Sequence, residues 1–131
     1  MQYIELIAVV AVVQFLFFGA MAGKARTAAG LKAPAVVGDE NFERAYRVQM
    51  NTLELLVAFI PVLLVAGNYW SNELVAGIGL IYLIGRFVYW RAYVTAPKTR
   101  ALGFILSFMP IVILVILAFV GIGQSLVTVN S

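Results

Sequence analysis

The sequence predicts an all-α integral membrane protein, a four-helix bundle of up-down-up-down order. Hydrophobic residues make up 63% of the 131 residues and charged residues only 11%, whereas a soluble domain has about 25% charged residues. Four apolar stretches are each long enough to cross a bilayer, which takes about 20 residues of helix. Short segments with glycine, proline and charged residues separate them. One membrane domain is therefore expected to cover residues 1–131.

The four predicted spans cover residues 3–21, 42–66, 74–93 and 101–121. The first is apolar except for Glu5 and Gln14 and lacks a basic start, so we expect a retained span rather than a cleaved signal peptide. Gln14 lies near mid-span, where its amide is expected to bond to a neighbouring helix. Gly23 to Asn41 mixes helix breakers with charges and predicts an exposed loop, with Asp39 or Asn41 as the next N-cap.

The remaining elements follow from the same signals. Pro61 is expected to kink the second span, and Gly67 to Glu73 predicts a short turn with two aromatic residues at the bilayer boundary. Arg91 falls on the side of the third span opposite Tyr82, where it is expected to reach lipid head groups. The last span has no charged residue, and the tail after Gly123 is expected to fray.

The second span carries a stripe of polar residues. Its members are Arg44, Arg47, Asn51 and Glu54. At about 100° per residue they fall within roughly 80° on one helix face. A charge at the centre of a transmembrane helix costs roughly 2.5 to 3.5 kcal/mol, so such groups usually face a bundle interior. Two arginines, an amide and a carboxylate exceed one packing pair, which favours a binding surface over the simpler alternative of a structural ion pair.

A second polar stripe lies on the third span. It is formed by Tyr82, Arg86, Tyr89 and Tyr93, within an arc of about 60°. Antiparallel connectivity brings both stripes to the same membrane face. The first and third loops hold almost every Lys and Arg, which predicts that both loops are cytoplasmic and both termini external. The compact chain without an evident retention signal is expected to lie in a bacterial inner membrane.

The residue types that are missing narrow the chemistry. The chain has no cysteine and no histidine, which excludes a Cys nucleophile, a His base and a disulfide, and no metal is expected. The net charge of +3 sits in a few clusters and does not predict nucleic-acid binding. Any thiol chemistry must therefore use a thiol that the ligand brings.

The two stripes and the third loop predict one pocket. Its members are Arg47, Asn51, Glu54, Arg86, Tyr89, Tyr93 and Arg100, with Arg26 or Lys24 nearby. Arginine binds carboxylates bidentately, and a lone buried Glu can receive an ammonium. Glutathione, with two carboxylates, one ammonium and a thiol, fits this pocket as a co-substrate. An Arg would lower the thiol pKa by stabilising the thiolate; Arg100 is the first candidate and Arg86 the alternative.

Two segments resemble signatures of the MAPEG family, the membrane-associated proteins of eicosanoid and glutathione metabolism. They are FERAYRVQMNTLE, residues 42–54, and GRFVYWRAYVTAPKTR, residues 85–100. The resemblance implies a homotrimer of four-helix subunits, with glutathione bound between subunits toward the cytoplasm. It implies glutathione contacts for Arg47, Asn51, Glu54, Tyr89 and Tyr93, an intramembrane Arg at Arg86, a basic residue after the first span at Arg26 and thiol activation by Arg100.

The resemblance favours a glutathione transferase of the microsomal or leukotriene C4 synthase kind. Such an enzyme conjugates lipophilic electrophiles from the bilayer, with detoxification as the expected role; peroxidase activity and the use of another thiol stay open.

The leukotriene C4 synthase branch has Tyr after the motif's Glu, where this chain has Leu55, so one ligand hydrogen bond is missing. Arg47 and Glu54 favour the enzymes over the non-catalytic lipoxygenase-activating branch, and the His and Asp of the prostaglandin E synthase branch are absent.

Two other functions compete with the transferase. A non-catalytic lipid-binding or scaffold protein on the same fold would bind ligand without turnover. A small four-span exporter would need a carboxylate inside its first span, whereas this chain has Gln14 at mid-span.

Overall fold

The computed structural model describes residues 1–130 and, within them, contains helices and turns but no strand. Its elements are α1 (Gln2–Ala29), α2 (Glu40–Gly67), α3 (Asn72–Thr95), a 3-10 turn (Pro97–Thr99) and α4 (Ala101–Asn130). Each α-helix has the length and apolar composition needed to cross a membrane. The predicted all-α class with four spans is confirmed.

Two helices extend beyond the apolar stretches that predicted them. α1 continues to Ala29 and ends at Gly30, whose φ of 70° forms a left-handed C-cap. The first connection is therefore residues 30–39, because the alanines and basic residues after Gly23 favour helix. α4 continues to Asn130, so the prediction of a frayed tail after Gly123 was wrong. No proline follows Gly123, and extending an existing helix costs far less than starting one.

Asp39 starts α2 as an N-cap, as predicted. Its carboxylate accepts a hydrogen bond from the backbone N–H of Phe42, at 2.9 Å. The bond satisfies one of the backbone donors that the first turn of a helix leaves unpaired. Because α2 begins here, Arg47 and Asn51 fall within its first half.

The contacts between helix ends establish the helix order. Ile4, at the start of α1, lies against Gly67 at the end of α2, and its backbone N–H donates to Asn72 at the start of α3. Trp70, between α2 and α3, donates to the carbonyl of Leu117 in α4 at 2.7 Å. The helices therefore run up, down, up and down. All nine Lys and Arg lie in residues 24–47 or 86–100, and we call the end of the bundle nearest these residues the basic end.

An apolar core runs along the bundle between the helices. The ring of Phe59 in α2 stacks on that of Tyr82 in α3, with centroids 3.8 Å apart. The amide of the buried Gln14 donates to the carbonyl of Leu83 at 2.9 Å. This bond joins α1 to α3 and confirms the predicted role of Gln14 between helices.

Two glycines bring α3 and α4 into close contact. A Cβ added to Gly85 would lie 2.6 Å from the backbone of Leu106 and Ser107, and one added to Gly103 would overlap the backbone of Tyr89. These backbone atoms cannot move aside by a change of rotamer, as side-chain atoms can. Small residues at such a position let membrane helices approach closely. The contact fixes the separation of the polar side chains that the two helices carry.

Gly103→Ala is expected to lower the thermal midpoint of the purified protein in detergent. Overpacking of this kind costs about 1–3 kcal/mol, because the added methyl must push α3 away. Gly123→Ala is the matched control in the same helix, since a Cβ there meets no atom within 4 Å. That control should keep or raise the midpoint, because Ala favours helix over Gly by about 1 kcal/mol. Equal midpoints for both variants would show that the close contact is not needed.

Candidate functional site

Two neighbouring cavities open at the basic end between α2, α3 and α4. The smaller, of about 300 Å³, is lined by Glu40, Glu43, Arg44, Arg47, Tyr93 and Pro97. The larger, of about 440 Å³, is lined by Asn51, Tyr89, Lys98, Arg100, Ala101 and Phe104. The rings of Tyr89 and Tyr93, with centroids 5.5 Å apart, connect the two linings. Five of the predicted site residues line these cavities: Arg47, Asn51, Tyr89, Tyr93 and Arg100.

The larger cavity is basic on one side and apolar on another. Arg100 and Lys98 are its charged residues, and no carboxylate is part of its lining. Arg100 donates to the carbonyl of Pro97 at 2.8 Å, and its guanidinium lies 5.7 Å from the centroid of the Tyr93 ring. These contacts hold Arg100 beside the cavity while its side chain stays exposed. An anion bound here would meet two cations and no carboxylate in the lining.

The smaller cavity contains two arginines with different surroundings. Arg44 forms an ion pair with Glu40, one turn earlier on α2, and donates to the carbonyl of Val94 at 3.4 Å. The carboxylate of Glu43 accepts from the backbone N–H of Gly38 at 3.1 Å. Arg47 is exposed, and within residues 1–130 it has no hydrogen bond or ion pair. Its guanidinium is therefore available to a ligand carboxylate.

Arg86 lies behind the wall of the larger cavity, where it is 0% exposed. Its guanidinium donates to Asn51 at 2.7 Å and to Ser107 at 2.6 Å, and a longer contact of 3.4 Å joins it to Thr52. It also lies 4.3 Å from the centroid of the Tyr89 ring. Within residues 1–130 no carboxylate is within ion-pair distance of it. Arg86 is not itself part of the lining, but it orients Asn51 and Tyr89, which are.

Sequence reasoning missed two polar residues that hold Arg86. Ser107 accepts from Arg86 and bonds to the α4 backbone, at 2.9 Å from the carbonyl of Gly103. Thr52 is fully buried beside it. Both are small hydroxyl residues inside apolar helices, where they commonly bond across a helix interface. A serine or threonine within an apolar helix is visible in the sequence, and it could have indicated hydrogen-bond partners for the buried Arg86.

Besides Arg86, two further predicted site residues line neither cavity. Glu54 is exposed on α2, and within the described chain it has no hydrogen bond or ion pair. Arg26 donates to the carbonyl of Ala35 at 2.6 Å, and its guanidinium lies 4.5 Å from the centroid of the Phe42 ring. Arg26 therefore braces the connection between α1 and α2. Within one subunit the charge of Glu54 acts on Tyr89, but neither Glu54 nor Arg26 is part of either lining.

Leu55 occupies the position at which the leukotriene C4 synthase branch has a tyrosine. Its side chain is 9% exposed and belongs to the apolar core, whereas the preceding Glu54 points outward. One step along a helix rotates a side chain by about 100°. In this subunit the side chain at position 55 contributes to neither cavity.

The cavity chemistry is that of anion stabilisation. The larger cavity offers two cations, a phenol and an amide, all of which donate to a negatively charged atom. Residues 1–130 contain no group of three or more Asp and Glu placed to hold a metal ion. The lining also lacks a carboxylate base. A thiol used here must come with the ligand, because the chain has no cysteine, and the positive surroundings would favour its thiolate.

Comparisons with known proteins agree with this chemistry. The chain matches the model of the MAPEG family over residues 4–120. It is 35% identical over 119 residues to the microsomal glutathione S-transferase 2 of Homo sapiens, covering 91% of this chain and 81% of that protein. It is 32% identical over 106 residues to the leukotriene C4 synthase of Bos taurus, covering 81% and 71%. A protein of Synechocystis described as uncharacterized is 38% identical over 117 residues, covering 89% and 85%.

Proposed function

This chain belongs to the MAPEG family, and on that premise we propose that it is a membrane-embedded glutathione transferase. Family membership and four long apolar helices make it an integral membrane protein. The relatives named as a glutathione S-transferase and a leukotriene C4 synthase support a glutathione-related function. The observation that carries the proposal is the larger cavity, where Lys98 and Arg100 lie with Asn51 and Tyr89 and without a carboxylate. Such a lining suits a thiolate.

In the proposed reaction Arg100 lowers the pKa of the glutathione thiol, because its positive charge favours the thiolate. The thiol proton passes to water, since the cavity lining holds no base. The thiolate sulfur then forms a bond to the electrophilic carbon, and the leaving group departs with its electron pair. Arg47 binds a glutathione carboxylate, while Asn51 and Tyr89 hydrogen bond to the peptide. With a lipid hydroperoxide, the thiolate sulfur would instead attack the O–O bond and release the lipid alcohol, and a second glutathione would convert the resulting sulfenic acid to glutathione disulfide and water.

We propose that the site is completed between copies of the chain in a homotrimer. The proposal rests on Glu54, which is exposed beside apolar Leu53 and Val57, exposed by 40% and 69%. A carboxylate among apolar side chains within the membrane is costly unless a partner covers it. A second subunit would do so and bring Glu54 to the glutathione ammonium. Arg26 would join the site if it left the carbonyl of Ala35.

We place the basic end on the cytoplasmic side of a bacterial inner membrane. All nine Lys and Arg lie toward that end, which the positive-inside rule assigns to the cytoplasm. Glutathione would then enter from cytoplasmic water. Lipophilic electrophiles would enter from the bilayer along the apolar side of α4.

The transferase proposal is tested by mixing the purified protein with glutathione and recording the thiolate absorbance by stopped flow. A thiolate signal, followed by conjugation of chlorodinitrobenzene above background, is expected. S-methylglutathione should compete for the site and give no thiolate signal, because it has no ionisable thiol. Binding without thiolate or turnover would instead support the non-catalytic lipid-binding alternative.

Arg47→Ala is expected to raise the KM for glutathione by about ten-fold or more, because a hydrogen bond to a charged group is worth about 1.5–3 kcal/mol. The thermal midpoint should not change, since Arg47 is exposed and has no bond within the described residues. Arg91→Ala is the matched control, because Arg91 is exposed and lines neither cavity. Steady-state kinetics at varied glutathione measure both variants. An unchanged KM for Arg47→Ala would remove Arg47 from the site.

A further inference from the structure

An open groove lies on the outer side of α3, apart from both cavities of the candidate site. Its volume is about 530 Å³, and it is lined by Phe87, Val88, Arg91, Ala92 and Thr95. Phe87, Arg91 and Thr95 are exposed and fall within an arc of about 80° on the helix. This arc is opposite the polar stripe of α3. We call the feature the outer groove.

The outer groove lies at the level where a membrane helix reaches the lipid head groups. Asn72 is the first residue of α3, and Arg91 lies about 28 Å further along at 1.5 Å per residue. The hydrocarbon core of a bilayer is about 30 Å thick. Between the two positions Leu80, Ile84 and Phe87 are exposed apolar residues on the face of Arg91. An acyl chain can therefore lie along α3 while its head group stays beside Arg91.

Aromatic rings from α1 and α3 pack next to the groove. The ring of Phe17 meets that of Phe87 edge-on, with centroids 6.4 Å apart, and that of Trp90 likewise at 5.5 Å. The guanidinium of Arg91 lies 5.7 Å from the centroid of the Trp90 ring. Tryptophan is enriched at the boundary between membrane and water. The packed rings hold Trp90 in place, and Trp90 in turn helps to position the guanidinium.

The positive charge of Arg91 has no carboxylate to balance it. Within residues 1–130 Arg91 forms no ion pair. The only acidic residues of α1 and α3 are Glu5 and Glu73, which lie in the first turns of these helices at the other end of the bundle. Lys24, seven residues after Phe17, falls on the same face of α1 and adds an exposed cation to this side of the basic end. The surface therefore combines positive charge with an apolar track.

We propose that the outer groove is a selective site for an anionic phospholipid. The Arg91 guanidinium binds the phosphate, which it can hold through two parallel N–H donors, and an acyl chain lies along Phe87 and Ile84. The sequence predicts only that Arg91 reaches head groups of any kind. Selectivity follows from the unbalanced charge, because a zwitterionic head group brings a cation of its own to Arg91. The groove is separate from both cavities, so neither glutathione binding nor the proposed transferase reaction depends on it.

The test uses the tryptophan beside the groove as a reporter. Trp70→Phe leaves Trp90 as the single tryptophan, since the chain has two. The Trp70→Phe protein is placed in vesicles of equal parts phosphatidylcholine and phosphatidylglycerol, in which the acyl chains of either one lipid or the other carry bromine. Bromine quenches tryptophan fluorescence only at short range. Both sets of vesicles have the same charge, so a difference in quenching measures which lipid lies at the groove.

Brominated phosphatidylglycerol is expected to quench Trp90 more strongly, with a preference of about five-fold over phosphatidylcholine, because a basic residue at an anionic membrane surface is worth about 1 kcal/mol. Arg91→Gln in the same protein should lower the preference to about one. Arg91→Lys should keep part of it, and added salt should weaken it. The thermal midpoint of Arg91→Gln in lipid-free detergent should not change, because Arg91 is exposed.

Lys32→Gln is the matched control, since Lys32 is exposed at the same end of the bundle and is not part of the groove lining. It removes the same charge and should keep the five-fold preference. Equal quenching by the two brominated lipids in the Trp70→Phe protein would overturn the inference, as would a preference that survives Arg91→Gln. An equal loss in Lys32→Gln would assign the preference to net charge and also overturn it. Quenching by neither lipid would show that protein covers this face, with the same consequence.

Discussion

Arg100→Ala is expected to abolish the thiolate absorbance of bound glutathione and to lower kcat by about a hundred- to a thousand-fold, the usual loss when a group that stabilises the reacting anion is removed. Arg100 lines the larger cavity with an exposed guanidinium. Without it the thiolate is less favoured and the thiol pKa rises. The residual rate should therefore increase with pH over a range where the wild-type rate is flat.

Two variants test whether the effect of Arg100→Ala is due to the lost charge. One keeps the charge and changes the shape of the side chain, and the other removes an arginine elsewhere. Arg100→Lys keeps a cation but loses the planar fork of donors, and should retain part of the thiolate signal. Arg91→Ala removes an exposed arginine that lies 5.7 Å from the centroid of the Trp90 ring and lines neither cavity. It should behave as the wild type. A normal thiolate signal in Arg100→Ala would show that another cation activates the thiol.

Arg86→Met is expected to weaken glutathione binding by about ten- to a hundred-fold and to lower the thermal midpoint only modestly. Arg86 holds Asn51 through a bond of 2.7 Å and supports the Tyr89 ring. A cation within a membrane helix costs roughly 2.5–3.5 kcal/mol, while its two short hydrogen bonds return about 1.5–3 kcal/mol each. In the free energy of unfolding the relieved cost offsets much of what the lost bonds contributed, so the loss of the partner that orients Asn51 shows mainly as weaker glutathione binding.

The KM for glutathione and the thermal midpoint must be measured on the same preparation of Arg86→Met. Gln14→Leu is the matched control, because Gln14 is also a buried polar residue but bonds to Leu83 between α1 and α3. Its kinetics should match the wild type. A large fall in the midpoint of Arg86→Met with an unchanged KM would make Arg86 a purely structural residue.

Features that depend on neighbouring residues were predicted from the sequence. Helix periodicity placed Asn51 and Tyr89 on inward faces, and both line the larger cavity. The N-cap at Asp39 and the four helices follow equally from local patterns. Helix ends were predicted less well, since a change in polarity was taken as the end of a helix. α1 and α4 continue past that change because no strong breaker lies there.

Features that depend on distant contacts could not be predicted. The sequence left Arg86 and Arg100 as alternative thiol activators, whereas the structure buries Arg86 against Thr52 and Ser107, 34 and 21 positions away. No spacing within one helix indicates such a contact. Arg26 likewise bonds to a loop carbonyl that competes with any ligand. Lys98 shows the same limit, because the sequence places it only in a short connection, whereas the structure places it in the lining of the larger cavity.

The close contact at Gly85 and Gly103 has a mechanical consequence. Where backbone meets backbone, two helices cannot slide or separate by small side-chain adjustments. α3 and α4 thus move as one rigid block, which keeps Arg86 and Tyr89 at constant separation from the start of α4. Accommodation of ligands of different shape therefore falls to α1, α2 and the connection between them, residues 30–39, which lie outside that block.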